Sequence, residues 1–221
     1  MTTLYRVEKK CAVCGAVEEY EDIGSSNSFG SPDLDTRPPE MLRSTIFAWV
    51  QRCPQCGYCA ADVSKALPEA SSLVRTSEYS QWLKNRSYPE LARNFLCKAL
   101  LEEHTEQYNT AAWSLIHAAW ACDDHKKSAS AKECRSRAVE MIRKSLEKEQ
   151  PISQQEGAET VIQVDLLRRA GRLAEALELI HREQPGIKED ILLQVLAFQE
   201  DLIARKDVKC HTISEAFGES E

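Results

Sequence analysis

Two copies of one short device limit what this chain can fold into: Cys11-Ala-Val-Cys14-Gly15 and Cys53-Pro-Gln-Cys56-Gly57. A two-residue gap lets a tight turn aim both sulfurs at one point, and the glycine that follows can take the backbone angles that bring amide N–H groups towards the thiolates. Two such knuckles supply four soft ligands at tetrahedral positions, the arrangement of a zinc ribbon, and a thiolate-only set favours Zn²⁺ over iron. Four thiolates leave no coordination position for water or substrate. The expectation is therefore one structural zinc on Cys11, Cys14, Cys53 and Cys56. Plain burial of small hydrophobes does not account for two identical knuckles with glycine in register. A redox dithiol at Cys53 and Cys56 lacks the strand-to-helix context of a thioredoxin-like fold. The 38 residues between Cys14 and Cys53 exceed the usual ribbon spacing of roughly 15 to 20. The pairs must therefore meet across a long insertion, and the β-prone stretch Ser44 to Arg52 is read as a ribbon strand entering the second knuckle.

Five of the nine cysteines lie before residue 60 and four are scattered behind, a distribution suited to metal binding in a reducing compartment rather than to structural disulfides. Cys59 is expected to pack behind its knuckle, and Cys97 and Cys134 to be buried in helices. Cys122 and His125 would make half a metal site without a second half. No apolar run approaches the roughly 20 residues of a membrane helix, and Met1 to Lys10 lacks the apolar core of a signal peptide. The reading is a cytoplasmic protein with no membrane partner.

Composition divides the chain near residue 60. Residues 1–60 are rich in Gly, Pro, Ser and Asp with short β-prone stretches, among them Thr3 to Val7; in 61–221 glycine almost vanishes and apolar residues take a helical period. The fold class expected is mostly α: a small β zinc-ribbon head followed by an α-helical, tetratricopeptide-like array. Leu91, Phe95 and Ala99 mark a helix over about Ser87 to His104. Trp113, Ile116 and Trp120 mark another, and Met141, Ile142 and Leu146 a third. Ser87 with Glu90, Ser130 with Glu133 and Ser153 with Glu156 read as capping-box starts. Val161, Val164, Leu167 and Ala170, then Gly171, then Leu173, Ala176, Leu177 and Ile180, read as a helical hairpin, because a left-handed residue at Gly171 carries no Cβ penalty. Ile191, Val195, Phe198 and Leu202 make a last helix placed to close the stack, and a frayed tail is expected after Lys206. Trp82, Trp113 and Trp120 are assigned to the core.

The insertion carries Ser31-Pro-Asp-Leu-Asp-Thr-Arg-Pro-Pro-Glu40, a rigid polar loop that is costly to order unless it packs or binds. Asp33, Asp35 and Arg37 are candidates for recognising a partner; the alternative is a loop pinned by salt bridges to the helices. His104, His117 and His181 have no sequence-local catalytic partners, and no nucleophile or phosphate-binding motif is present.

Together the two knuckles, the Ser31–Pro39 segment and the helical pairs resemble an uncharacterised bacterial family, a domain of unknown function. The resemblance implies a metal head on a helical body and adds no catalytic residue. The leading functional expectation is a non-enzymatic interaction protein, zinc fixing the head and a protein or peptide binding along the helices. A nucleic-acid-reading ribbon is disfavoured, since the first 60 residues hold six basic against eight acidic side chains and phosphate binding needs the opposite balance. An enzyme with its site between head and helices is the third possibility.

Overall fold

The computed structural model describes residues 1–218. Strands β1 (Thr3–Lys10) and β2 (Val17–Ser25) form an antiparallel hairpin, and β3 (Gln51–Arg52) and β4 (Cys59–Ala60) form a second, much shorter one. Short helices α1 (Ala70–Leu73) and α2 (Ser77–Lys84) lead into the body, where α3 (Glu90–His104), α4 (Tyr108–Asp124) and α5 (Ser128–Glu147) run in sequence. The chain continues through α6 (Ala158–Ala170), α7 (Leu173–Glu183) and α8 (Asp190–Ala204) to a terminal turn, α9 (Ile213–Ala216). The fold is mostly α, with a small antiparallel β region at the N-terminus followed by a helical array.

Helix α4 is the centre of that array, with its longest contacts against α3 and α5. Its buried face is built on Ala111, Ala112, Ala118, Ala119 and Ala121, and side chains that small let neighbouring helices approach closely while costing no rotamer entropy. Trp120 lies buried on the same helix, and Trp113 is half-buried with its indole N–H donated to the Ile152 carbonyl. Trp82 is half-buried against Tyr88 under the guanidinium of Arg137. One hydrophobic core runs without a break from Cys11 and Cys53 through Tyr58 and Tyr79 to α8.

The expected hairpin at Gly171 is present: Gly171 has φ +84°, and its N–H and that of Arg172 donate to the carbonyls of Arg168 and Leu167. The same paired closure ends four more helices. Glu106, Lys126, Glu149 and Lys206 all take φ between +54° and +56°. The following N–H in each case donates five residues back, Gln107 to Glu102, Lys127 to Cys122, Gln150 to Ser145 and Asp207 to Leu202, the Schellman pattern. Where the next helix starts at once, Gln107, Lys127 and Arg172 share nearly the same backbone angles. The α3–α4, α4–α5 and α6–α7 turns are thus one structure written in three different sequences.

Three expectations need correction. Ser44 to Arg52 is a strand only at its end, Gln51–Arg52 (β3): Arg43–Ala48 is a 3-10 helix, in which Thr45 Oγ1 donates to the Leu42 carbonyl and accepts the Trp49 indole N–H. These local bonds, with Thr45, Ile46 and Val50 buried, override the β-propensity of the segment. None of the three Ser/Glu pairs forms a capping box, for α3, α5 and α6 start with Pro89, Lys127 and Gly157 at the cap. The box that does form, Thr212 with Glu215, caps α9. Finally, the segment after Lys206 is docked: the Leu34 N–H donates to the His211 carbonyl, the Ile213 N–H to Pro32 and the Ser214 N–H to Ser31 Oγ. Residues 219–221 of the expected tail lie outside the described residues.

A left-handed conformation costs a Cβ-bearing residue about 1 kcal/mol that glycine avoids. Glu106→Gly and Lys126→Gly should therefore each stabilise the protein by about 0.5–1 kcal/mol, raising Tm by about 2–4 °C in a thermal melt.

Candidate metal centre

Each knuckle is the turn of one hairpin, and the two turns are built alike. In the first, the Cys11 N–H donates to the Ala16 carbonyl (2.7 Å) and the Gly15 N–H to that of Cys11 (2.9 Å); in the second, Cys53 donates to Tyr58 (2.8 Å) and Gly57 to Cys53 (2.9 Å). Gly15 and Gly57 have φ +77° and +79°. These angles aim further amides at sulfur, Ala16 at Cys14 and Tyr58 at Cys56, with Gln55 and Cys56 both directed at Cys53. The Ala16 amide holds the Cys14 thiol below its ordinary value, whereas burial pushes Cys53 and Cys56 up despite their amides.

The four sulfurs converge. Cys11 and Cys56 are 3.8 Å apart, Cys14 and Cys53 are 3.6 Å apart, and all four sulfurs lie within 4.8 Å of one another. Such a group can hold a metal ion. Cys11 and Cys53 are buried, Cys56 is partly so and Cys14 is open to solvent. Cys59 stands outside the group, its thiol donating to the Gly57 carbonyl at 3.3 Å. Cys122 and His125 make no second centre: Cys122 is buried, and the His125 ring nitrogen bonds the Ala121 carbonyl at 3.1 Å.

Side chains the sequence reading passed over hold the hairpins together. Gln51, buried, donates to Asp22 on β2 (2.7 Å) and accepts the Val63 N–H (3.2 Å), while the Val63 carbonyl takes the Ala12 N–H (2.9 Å). Lys9 on β1 joins the same Asp22 at 2.8 Å. From the body, the Tyr79 hydroxyl of α2 donates to the Gly57 carbonyl (2.9 Å) and accepts the Cys59 N–H (3.0 Å). A buried tyrosine nineteen residues beyond the last strand of the head carries no local signal of this contact, so pattern reading had nothing to find.

The insertion turns its charged side chains inward. Asp35, 0% exposed, accepts from the Trp120 indole (2.8 Å), from Arg169 on α6 (2.9 Å) and from the Arg37 amide (3.3 Å). Arg37 reaches both carboxylate oxygens of Asp124 at 2.8 and 2.7 Å, and Asp33 pairs with Arg43. Arg169 extends the chain of charges to Asp123 (2.7 Å), which also pairs with Arg135, and Asp165 pairs with Arg168 at 2.6 Å. Arg168 in turn donates to the Asp207 carbonyl (2.7 Å), which brings in the C-terminal segment. The loop is thus pinned to α4, α6 and the C-terminal segment, with Asp33, Asp35 and Arg37 all buried. Burial alone would raise the Asp35 carboxyl, but Arg169 and Arg135 hold it below its usual value; at Asp165 burial prevails and the shift is upward. The signal in the sequence was Asp165, Arg168 and Arg169 on a helix whose other faces are apolar.

Two outcomes follow. Both knuckle glycines are left-handed, but a Cβ at Gly57 would lie 2.7 Å from Leu83 Cδ2 whereas one at Gly15 meets nothing nearer than 3.7 Å. In chelator titrations followed by metal release, Gly57→Ala should therefore lose metal at a lower chelator concentration than Gly15→Ala. Asp35→Ala leaves Arg169 buried without its main partner and should cost about 3–5 kcal/mol in urea unfolding. Because the folded Asp35 value lies below the unfolded one, its contribution is present above about pH 4 and is lost as pH falls through the folded value, so the wild type should lose more stability on acidification than the variant.

Among the described residues no helix is long and apolar enough to cross a membrane. No curated protein and no solved structure matches the chain significantly. A family model described as "Uncharacterized protein conserved in bacteria" matches residues 4–189, which span both hairpins, the buried insertion and the helices through α7. The chain belongs to this bacterial family, DUF2225.

Proposed function

We propose that the protein is a non-catalytic scaffold in which one structural zinc orders a zinc-ribbon-like head and the tetratricopeptide-like body binds a protein or peptide. The observation that carries the metal half is the sulfur spacing. A tetrahedral Zn²⁺ with bonds of about 2.3 Å requires sulfurs about 3.8 Å apart, against 3.8 and 3.6 Å for the two pairs. Four sulfurs close the coordination shell, which suits a structural ion rather than a hydrolytic one. Such an ion contributes roughly 10–16 kcal/mol to folding, a large share for a head whose second hairpin has strands of two residues.

The repeated helix–turn–helix closure supports the second half, since stacked helical pairs build extended surfaces on which peptides dock. Against an enzyme stands the state of the polar groups in the body. Ser114, Lys98 and Glu102 lie within hydrogen-bond distance of one another, but Ser114 is fully buried and the three satisfy each other. His117, ringed by Trp49, Phe95, Trp113 and Trp120, is pushed down to about 3 by burial and stays neutral. Exposed Glu19 and Glu21 on β2 argue against nucleic acid on the head. The location proposed is the cytoplasm.

Tagged protein should be purified natively from bacterial cells, with metal measured by plasma mass spectrometry and co-purifying chains identified. About one zinc per chain and a stoichiometric partner are expected, the zinc being lost in Cys11→Ser and Cys53→Ser. Iron in place of zinc, or full zinc in the serine variants, would overturn the metal assignment; wild type recovered alone would overturn the interaction reading.

A further inference from the structure

Beside the metal head and the charged insertion, one feature of the body has no role in either. A groove of about 550 Å³ opens between α5, α6, α7 and the segment that joins α7 to α8. Its size falls within the range of ligand sites. Gln163 and Thr160 of α6 and Leu179 of α7 line it, with Arg143 and Leu146 of α5 and Lys188 opposite.

Two of these residues are out of place in a protein that binds nothing there. Gln163 is 5% exposed, yet its side-chain amide has no hydrogen-bond partner among the described residues. The Gln163 amide is not among the side-chain atoms shut off from solvent without a partner, so it opens into the groove. Leu146 is the converse, an apolar side chain 46% exposed in the same groove, on a helix whose Met141 and Ile142 are buried.

The chemistry of the lining selects the occupant. Four glutamates and three cations share it. Arg143 is held by Glu140 at 3.1 Å and Arg182 by Glu183 at 2.7 Å, so a phosphate or other polyanion would meet four carboxylates and, Lys188 apart, cations already paired. A primary amide offers one acceptor and one donor side by side, the complement of the N–H and C=O of a residue in an extended chain. An apolar wall next to it suits that chain's side chain.

We propose that this groove binds an extended peptide segment of a partner protein, its backbone paired with the Gln163 amide and an apolar side chain seated against Leu146 and Leu179. The proposal rests on the interaction reading above and gives it a place and a ligand chemistry.

The test is a phage-displayed library of random twelve-residue peptides, panned on the full zinc-loaded chain, with affinities of enriched peptides then measured against three variants. Leu146→Glu alters an exposed residue and Gln163→Leu removes an unpaired amide, so neither should unfold the protein; Leu4→Glu, on the exposed face of β1, is the remote control. Enriched peptides should carry an apolar residue, bind Leu146→Glu at least tenfold more weakly and Gln163→Leu severalfold more weakly, and bind Leu4→Glu as they bind the wild type. Peptides that bind all three variants equally would overturn the groove assignment and leave the interaction reading standing. An empty selection would also overturn the assignment, and would take the interaction reading with it if the natively purified protein also carried no partner.

Discussion

Four sulfur atoms from two hairpins, 38 residues apart in sequence, have to meet at one point, and the architecture of the head follows from that demand. Neither hairpin buries enough apolar surface to stand alone, since β1 is largely exposed and β3 and β4 have two residues each. The left-handed glycine and the paired backbone bonds of each turn set where its two sulfurs point, and an ion shared by all four would hold both turns closed. Gln51, Asp22 and Lys9 then hold the hairpins in register, and Tyr79 ties the second turn to the helices.

A second constraint keeps the insertion from being a loose loop. Asp35 enters the interior among Trp120, Arg169 and the Arg37 amide, and the charges continue through Asp123, Arg135, Asp165 and Arg168 to the backbone of the C-terminal segment. Burying such a network gains little stability over an apolar core of the same shape, because desolvation offsets the Coulomb attraction. It does exclude alternatives: any other path for the insertion takes Asp35 away from Arg169 and from the Trp120 indole. Head, insertion, helices and C-terminal segment therefore share one interior rather than meeting as separate units.

The sequence was legible where the physics is local. Knuckle spacing and its glycine depend on residues within five positions of one another, and the four-sulfur group is the one expected. Gly171 announced its turn because glycine is the usual left-handed residue, while Glu106, Lys126, Glu149 and Lys206 make the same turn with residues that favour continued helix, so three turns of one kind read as one. The Ser/Glu pairs had the right spacing for capping boxes, but the helices start elsewhere. The insertion could be read as a loop pinned by salt bridges to the helices, but its partners could not be, nor could the docking of the C-terminal segment: the bonds that order them, Asp35 to Arg169 and Leu34 to His211, join residues more than 130 positions apart, and no periodicity encodes such a contact.

Amide hydrogen exchange on the zinc-loaded protein and on the same protein stripped by a chelator tests the central claim directly. The account expects stripping to abolish protection at the knuckle amides Gly15, Cys53 and Gly57 and to weaken it along β1 and β2. The amides of Leu34 and Arg37, held by the C-terminal segment and by Asp35, and those of α3 to α6 should keep their protection. Knuckles that stay protected without metal, or helices that lose protection together with them, would contradict it.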